Sequence, residues 1–384
     1  MEIVRLNKDD YDQWLSVLNT VFTRQNKMEM DFEKVLPKMC VRDDLNMNKH
    51  LAVKEDGKIC ALLGIYPIPV KAGNTELLFS TVGNIATLPE YEGKGYMRAL
   101  MCAAMDELAR IGADASRLSG ARQRYNRYGY EAAGISYHFT INEHTVKNCS
   151  SGDDIITFGK LSGNDRDALT YIRMIREKMP FYAIRSCDEA CKGEYDALCS
   201  FWHTPYIALK NGRPVGYFTV SYDRRTISDI GAGDLQTVKA IVYAWQRNVG
   251  DSVTLTLPAT DFEGVRYFSA VSAGMQLLSP SLFKIIHFDK VADALIKLKK
   301  SSGAYLPQGK SVIGIKDWGN LLICCKGDDV FCEKTDKAAA ITLDKLEATR
   351  FLFGPFAPET VADTDGFLTS VLPLPLPWCA VDRV

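Results

Sequence analysis

The stretch Val82-Gly-Asn-Ile-Ala-Thr-Leu-Pro-Glu-Tyr-Glu-Gly-Lys-Gly-Tyr-Met-Arg-Ala-Leu-Met101 decides the fold. An apolar strand runs from about Glu76 to Leu88 and stops at Pro89, which has no amide donor. A short Gly93-Lys94-Gly95 loop turns the chain. The spacing of Tyr96, Leu100, Met101, Ala104, Leu108 and Ile111 then predicts a helix from about Gly95 to Arg110, stopped by Gly112. This order aims unpaired main-chain amides at one point, with the positive end of the helix dipole behind them. That is a ready anion site, suited to a pyrophosphate, which Gly93 and Gly95 let the backbone approach. It is not a Walker A loop, because Lys94 is followed by Gly95 and the motif's first glycine is missing. It is not the dinucleotide fingerprint either, because Arg98 takes the place of the third glycine. On the loop alone, a plain strand-to-helix turn stays open.

Working outward, Met1–Leu6 reads as a short strand, and Asn7 with Asp10 reads as a capping box for a helix. That helix carries Tyr11, Trp14, Leu15, Leu18 and Phe22 on one face. Leu51–Lys54, a Glu-Asp-Gly turn and Ile59–Pro67 form a strand–turn–strand unit. The pattern returns, one residue shorter, at Ile207–Val215, followed by another strand and a capped helix from about Asp234 to Arg247. Two related domains are therefore expected. From about Asp289 the texture changes to an amphipathic helix, strands near Val312–Ile315, Leu321–Cys325 and Val330–Glu333, and a helix from about Leu343 to Phe353. In the tail, Pro373, Pro375 and Pro377 enforce an extended chain, and the interleaved Leu372, Leu374, Leu376 and Trp378 predict that it packs on the body.

The composition narrows the class. A chain of 384 residues predicts two to four domains at about 100–200 residues each. Forty-six Lys and Arg against forty-seven Asp and Glu leave no basic excess of the kind phosphate backbones demand, so nucleic acid is a poor partner. Neither a secretory signal at Met1–Asp10 nor an apolar run of ~18 residues is present, so a cytoplasmic protein with no membrane association is expected. Eleven cysteines without a CxxC pair and five scattered histidines favour reduced core cysteines and no metal.

A second motif follows a strand end at Arg117-Leu-Ser-Gly120. It runs Arg122-Gln-Arg-Tyr-Asn-Arg-Tyr-Gly-Tyr-Glu131. Tyr125, Tyr128 and Tyr130 could be packing aromatics. The order of elements and these motifs resemble the GCN5-related N-acetyltransferases. In the loop signature of that family, Arg/Gln-x-x-Gly-x-Gly/Ala, Glu92 takes the first place, Gly95 the glycine and Met97 the last. Glu92 and Met97 depart from the pattern. The run Gly95-Tyr-Met-Arg-Ala-Leu-Met101 nevertheless resembles one branch, the enhanced intracellular survival (Eis) acetyltransferases.

That resemblance implies an α/β (α+β) fold: tandem acetyltransferase domains, the second degenerate, and a C-terminal sterol-carrier-like α+β domain. The expected divisions are 1–145, 146–288 and 289–384. It implies acetyl-CoA as cosubstrate, held by Ile85, Ala86, Thr87, Glu92, Gly93, Lys94, Gly95, Tyr96, Met97, Arg98, Ser119 and Gly120. Tyr125 would protonate the departing thiolate, and the α-carboxylate of Val384 would take the proton of the acceptor amine. Phe22, Met28, Phe32 and Asn84 are candidate walls for the acceptor, though they could be core. The implied acceptor is a small-molecule amine, with an aminoglycoside first and a peptide or protein amine next, and the implied assembly is a homo-oligomer. A reading of another class is a lipid- or partner-binding protein whose transferase domain is vestigial, with Glu92 as the sign of decay. In the second copy, Gly231-Ala-Gly-Asp234 lacks the basic residue and reads as an ordinary helix cap.

Overall fold

The computed structural model describes residues 2–149, 155–185 and 192–383. In chain order its elements begin β1 (Ile3–Arg5), α1 (Tyr11–Asn26), α2 (Phe32–Val35), α3 (Asp44–Met47), β2 (His50–Glu55), β3 (Lys58–Ala72) and β4 (Thr75–Thr87). There follow α4 (Tyr96–Arg110), β5 (Ala115–Leu118), α5 (Arg122–Tyr125), β6 (Glu131–Ala133), β7 (Ser136–Ile141), α6 (Glu143–Cys149), β8 (Ile156–Lys160), α7 (Arg166–Arg176) and β9 (Phe181–Ala183). The second half runs α8 (Lys192–Leu198), β10 (Thr204–Lys210), β11 (Arg213–Val220), β12 (Thr226–Ala232), α9 (Leu235–Val249), β13 (Val253–Pro258), α10 (Phe262–Val271), β14 (Gly274–Leu278) and β15 (Ser281–Ile285). The chain closes with α11 (Phe288–Ser301), β16 (Gly309–Ile315), β17 (Gly319–Lys326), β18 (Asp329–Thr335), β19 (Ile341–Leu343), α12 (Lys345–Phe353) and α13 (Gly366–Val371).

The first sheet has the order β1-β2-β3-β4-β5-β15-β6, with β9 on the far end of β3. One face is covered by α1, whose entry is fixed by the predicted Asn7–Asp10 capping box and whose Tyr11, Trp14, Val17, Leu18 and Val21 are buried. The other face is covered by α4 through Tyr96, Leu100, Met101, Ala104 and Leu108, the stripe read from the sequence. Each fully buried side chain of this size contributes about 2 kcal/mol from removal of apolar area.

The second sheet repeats that order as β8-β10-β11-β12-β13-β7-β14. In both sheets the third-to-fourth hairpin pattern is antiparallel and the next pair is parallel, β4 with β5 and β12 with β13. The repeated hairpin turns share their chemistry: Asp56-Gly57 and Asn211-Gly212 both hold two successive positive φ angles, the type I′ geometry that suits strand twist.

The expected divisions at 145 and 288 do not follow the sheets. Strand β7, before 145, sits in the second sheet beside β13, and β15, before 288, sits in the first sheet beside β5. The two occupy equivalent places in their sheets, so the chain exchanges one strand between the halves. Local periodicity specifies a strand and carries no information about which sheet receives it.

The third sheet, β18-β17-β16-β19, packs on α11 and α12. Its core is continuous with the first sheet: Val70, Phe79 and Phe283 belong to the same cluster as Leu295, Ile313 and Phe351. The proline-rich tail lies in that cluster, with Leu372, Leu374, Leu376 and Trp378 all buried. Trp378 stacks on Phe79 with ring centroids 5.8 Å apart.

Candidate active site

The site begins where β4 and β5 part. Their parallel pairing covers Phe79↔Ala115 to Thr81↔Arg117 and then ends. On its other side β4 stays paired with β3, but the register jumps between Leu62↔Ala86 and Gly64↔Gly83. The residue Asn84 in this bulge has φ 54°. A bulge bends its strand and sharpens the twist, which opens the sheet into a wedge. Beyond it, the edge of Ile85-Ala86-Thr87 facing away from β3 has no strand partner among the described residues. Unpaired main-chain groups of this kind accept a ligand strand or an amide-bearing chain.

The loop after β4 leads to the N-terminus of α4. Gly95 takes the N-cap place with φ 82° and offers no side-chain cap, so the first amides of the helix are free for an anion. A Cβ built on Gly93 or Gly95 would meet nothing within 4 Å, which leaves an open cradle over these amides. Tyr96 is buried against the sheet, and its hydroxyl donates to Glu55. Lys94 lies 3.4 Å from the Glu55 carboxylate and 4.6 Å above the Tyr91 ring. Met97 is half-buried and Arg98 is exposed on the first turn. Glu92 pairs with Arg24 of α1, 3.2 Å apart. Both line a cleft of about 240 Å³, together with Val21, Gln25, Thr87 and Pro89.

At the end of β5, Ser119 accepts from Arg117 at 2.8 Å, and Gly120 has φ 147°. The Tyr125 ring lies against Gly120 so closely that a Cβ there would sit 2.6 Å from it. Tyr125 is buried, and its short helix α5 is anchored by Arg122, whose Nη2 lies 2.6 Å from the buried Glu131 carboxylate. Burial pushes the Tyr125 phenol above its ordinary pKa, partly offset by the neighbouring Arg124, so the group carries its proton. Tyr130, by contrast, bonds to Ser116 in the core beneath α4, and Tyr128 is a half-buried contact.

The candidate acceptor walls fall into different settings. Phe32 is buried and meets the half-buried Phe22 edge to face at 5.0 Å. Met28 is exposed, and the Asn84 carboxamide is committed to the Tyr66 hydroxyl at 2.7 Å. Val384 lies outside the described residues. The segment before it lies beside β12: Lys38 donates to the Val381 carbonyl at 2.7 Å, and Arg185 holds Asp382 at 2.9 Å. Burial pushes the Lys38 ammonium down to about 7. Arg117, fully buried, lies under Trp378 and bonds to Ser281 and Ser119 hydroxyls, with no carboxylate partner among the described residues. The sequence reading missed Arg24, Lys38, His50, Tyr66 and Arg117, each of which has at least one partner more than ten residues away and leaves no local motif.

Among the described residues, no cluster of His, Cys, Asp and Glu could hold a metal, and no helix is long and apolar enough to cross a membrane. Residues 2–133 match the family described as acetyltransferase (GNAT) domain. The N-terminal third thus matches the GCN5-related acetyltransferase domain, whose enzymes move an acyl group from coenzyme A to an amine. A comparison with curated proteins gives no match. Among solved structures, the chain resembles Eis1 from Mycobacterium abscessus at 13% identity, over 100% of both chains, with a TM-score of 0.66. A GCN5-related N-acetyltransferase from Anabaena variabilis gives 16%, 100% of both chains and 0.67. A conserved Enterococcus faecalis protein, described as a probable N-acyltransferase, gives 17%, 98% of this chain, 96% of that chain and 0.66. At these identities the likeness is one of fold, and it extends over the whole length.

Proposed function

We propose that the protein transfers the acetyl group of acetyl-CoA to a primary amine of a polyamine-type small molecule, an aminoglycoside being the first class to test. The observation that carries this reading is the unpartnered edge of β4 beside the uncapped N-terminus of α4. Ile85, Ala86 and Thr87 would pair with the pantetheine amides. The amides from Gly93 to Met97, with Lys94, Tyr96 and Arg98, would hold the diphosphate, and Ser119 and Gly120 would flank the thiol end. When bound, acetyl-CoA supplies an activated acyl thioester. Tyr125 holds a proton at its hydroxyl oxygen for the leaving sulfur, and β4 amides stabilise developing negative charge on an acyl oxygen. The aminoglycoside class rests on the Eis resemblance, and a peptide amine is the alternative outcome of an acceptor screen. Thiol release from acetyl-CoA across aminoglycosides, polyamines and peptides tests the assignment; no release with any of them would refute it.

The α-carboxylate of Val384 is proposed, from the same resemblance, as the proton acceptor of the substrate amine. The anchoring of Val381 by Lys38 and of Asp382 by Arg185, beside β12, supports that placement. An enzyme extended beyond Val384 should then fold normally and lose transfer; full activity of that variant would remove the role. The second sheet, with its matching strand order, is read as a degenerate acetyltransferase copy. Its Asp234 caps α9 by accepting from the Thr237 amide at 2.7 Å, which fills the place an anion would need. Residues 289–384 are read as a sterol-carrier-like domain. A cytoplasmic homo-oligomer fits the same reading, and a monomer in light scattering would exclude that assembly.

A further inference from the structure

Three polar side chains that the transfer chemistry does not use form one buried chain beneath the β4 bulge. His50 is fully buried, and Tyr66 and Asn84 are 3% and 6% exposed. His50 Nδ1 lies 3.2 Å from the Met47 carbonyl oxygen, and Nε2 lies 2.8 Å from the Tyr66 hydroxyl. Asn84 Nδ2 lies 2.7 Å from the same hydroxyl. The directions of these bonds are forced. A carbonyl only accepts, so Nδ1 carries the imidazole proton; Nε2 then accepts from the Tyr66 O–H, and the Tyr66 oxygen accepts from the Asn84 amide. Burial holds the His50 pKa down to about 4, so the neutral ring this order requires persists through the physiological range.

The parts are shaped to one another across three adjacent strands. His50 faces Gly64 in the β2–β3 register, and Gly64 faces Gly83 across β3–β4. Tyr66 folds back over Gly64 so tightly that a Cβ there would lie 2.1 Å from its hydroxyl oxygen. The phenol thereby reaches Asn84, the residue that takes the left-handed conformation at the point of the bulge. Asn enters that conformation more readily than other non-glycine residues, and its carboxamide bond to Tyr66 ties the bulge in place.

We propose that His50, Tyr66 and Asn84 are positioning residues for acyl transfer, which tether the β4 bulge and so aim the main-chain groups of Ile85, Ala86 and Thr87. This rests on the reading of the wedge as the acyl-transfer centre. Misplacement of such groups by about 1 Å costs on the order of 100-fold in rate. Tyr66→Phe keeps the ring and its contact with Gly64 but removes the hydroxyl. Asn84→Gly keeps the left-handed backbone accessible but removes the tether.

The experiment measures acetyl-CoA affinity by calorimetry, kcat and KM with kanamycin and spermidine as acceptors, and hydrogen exchange at 85–87 with and without acetyl-CoA. Both variants should lose about 10- to 100-fold in kcat, with acetyl-CoA affinity within about threefold of wild type. His50→Gln, which retains a donor and an acceptor, should keep more activity than His50→Phe. Unchanged kcat in Tyr66→Phe and Asn84→Gly, even with a lowered Tm, would make the chain merely structural and overturn the proposal. If the wild type binds acetyl-CoA but acetylates neither amine, the acceptor reading fails separately, and exchange still decides the tether. Acetyl-CoA should slow exchange at 85–87 by a smaller factor in Tyr66→Phe than in wild type; equal protection in both would overturn the proposal.

Discussion

Glu92 of the loop between β4 and α4 and Arg24 of α1 form an ion pair 3.2 Å long beside Thr87 and Pro89. The pair accounts for an acid in a loop otherwise built for an anion: the carboxylate is matched by a cation from the facing helix. Both side chains are well exposed, so the pair adds little to folding stability and its charge acts mainly on a ligand. Glu92→Gln should tighten acetyl-CoA binding about two- to fivefold at low salt, and Arg24→Ala should weaken it by a similar factor. Calorimetric titrations at two ionic strengths check both; a weaker complex for Glu92→Gln would contradict the assignment.

Tyr125 is held by Gly120 on one side and by the Arg122–Glu131 pair beneath its helix. Tyr125→Phe keeps that packing and removes only the hydroxyl proposed as the proton donor. Its kcat should fall about 100-fold with acetyl-CoA affinity little changed, and the variant should lose the alkaline limb of its pH–rate profile. Turnover equal to wild type would take Tyr125 out of the chemistry.

His50 makes stability depend on pH with a definite sign. In the unfolded chain its ring takes a proton near 6.5, whereas burial delays protonation in the folded protein to about 4. Between those values the unfolded state binds more protons, so stability falls as pH is lowered from about 6.5 to about 4 and loses nothing further from this group below that. The loss is on the order of 3 kcal/mol. Urea unfolding at pH 7, 6, 5 and 4 should show a shallower decline for His50→Gln than for wild type. Parallel curves would mean that His50 titrates normally in the folded state.

Much of the first domain is legible because its signals are local. The Asn7–Asp10 capping box, the α4 stripe from Tyr96 to Leu108, the two Gly turns and the Asp234 cap are each written within a few residues. The repeat of Leu51–Ile59 at Ile207–Val215 survives as two hairpins in equivalent places. The exchange of β7 and β15 is not local, and neither strand's composition names its sheet. Pairs such as Lys38 with Val381 and Arg117 with Ser281 join residues more than 150 positions apart, so no spacing rule reaches them. Asn84 illustrates the mixture: its place before Ile85 marks it for the site, but its tie to Tyr66 emerges only once β3 and β4 are in register.

The central claim is that the wedge between β4 and β5 binds acetyl-CoA and passes its acetyl group to an amine. The most direct test follows thiol release from acetyl-CoA by the 384-residue chain carrying no added C-terminal residues, with and without kanamycin, spermidine and a lysine peptide, beside calorimetric titration of CoA. The account predicts saturable CoA binding and release that depends on the small-molecule amine. Absence of CoA binding, with no release in the presence of any amine, would contradict it.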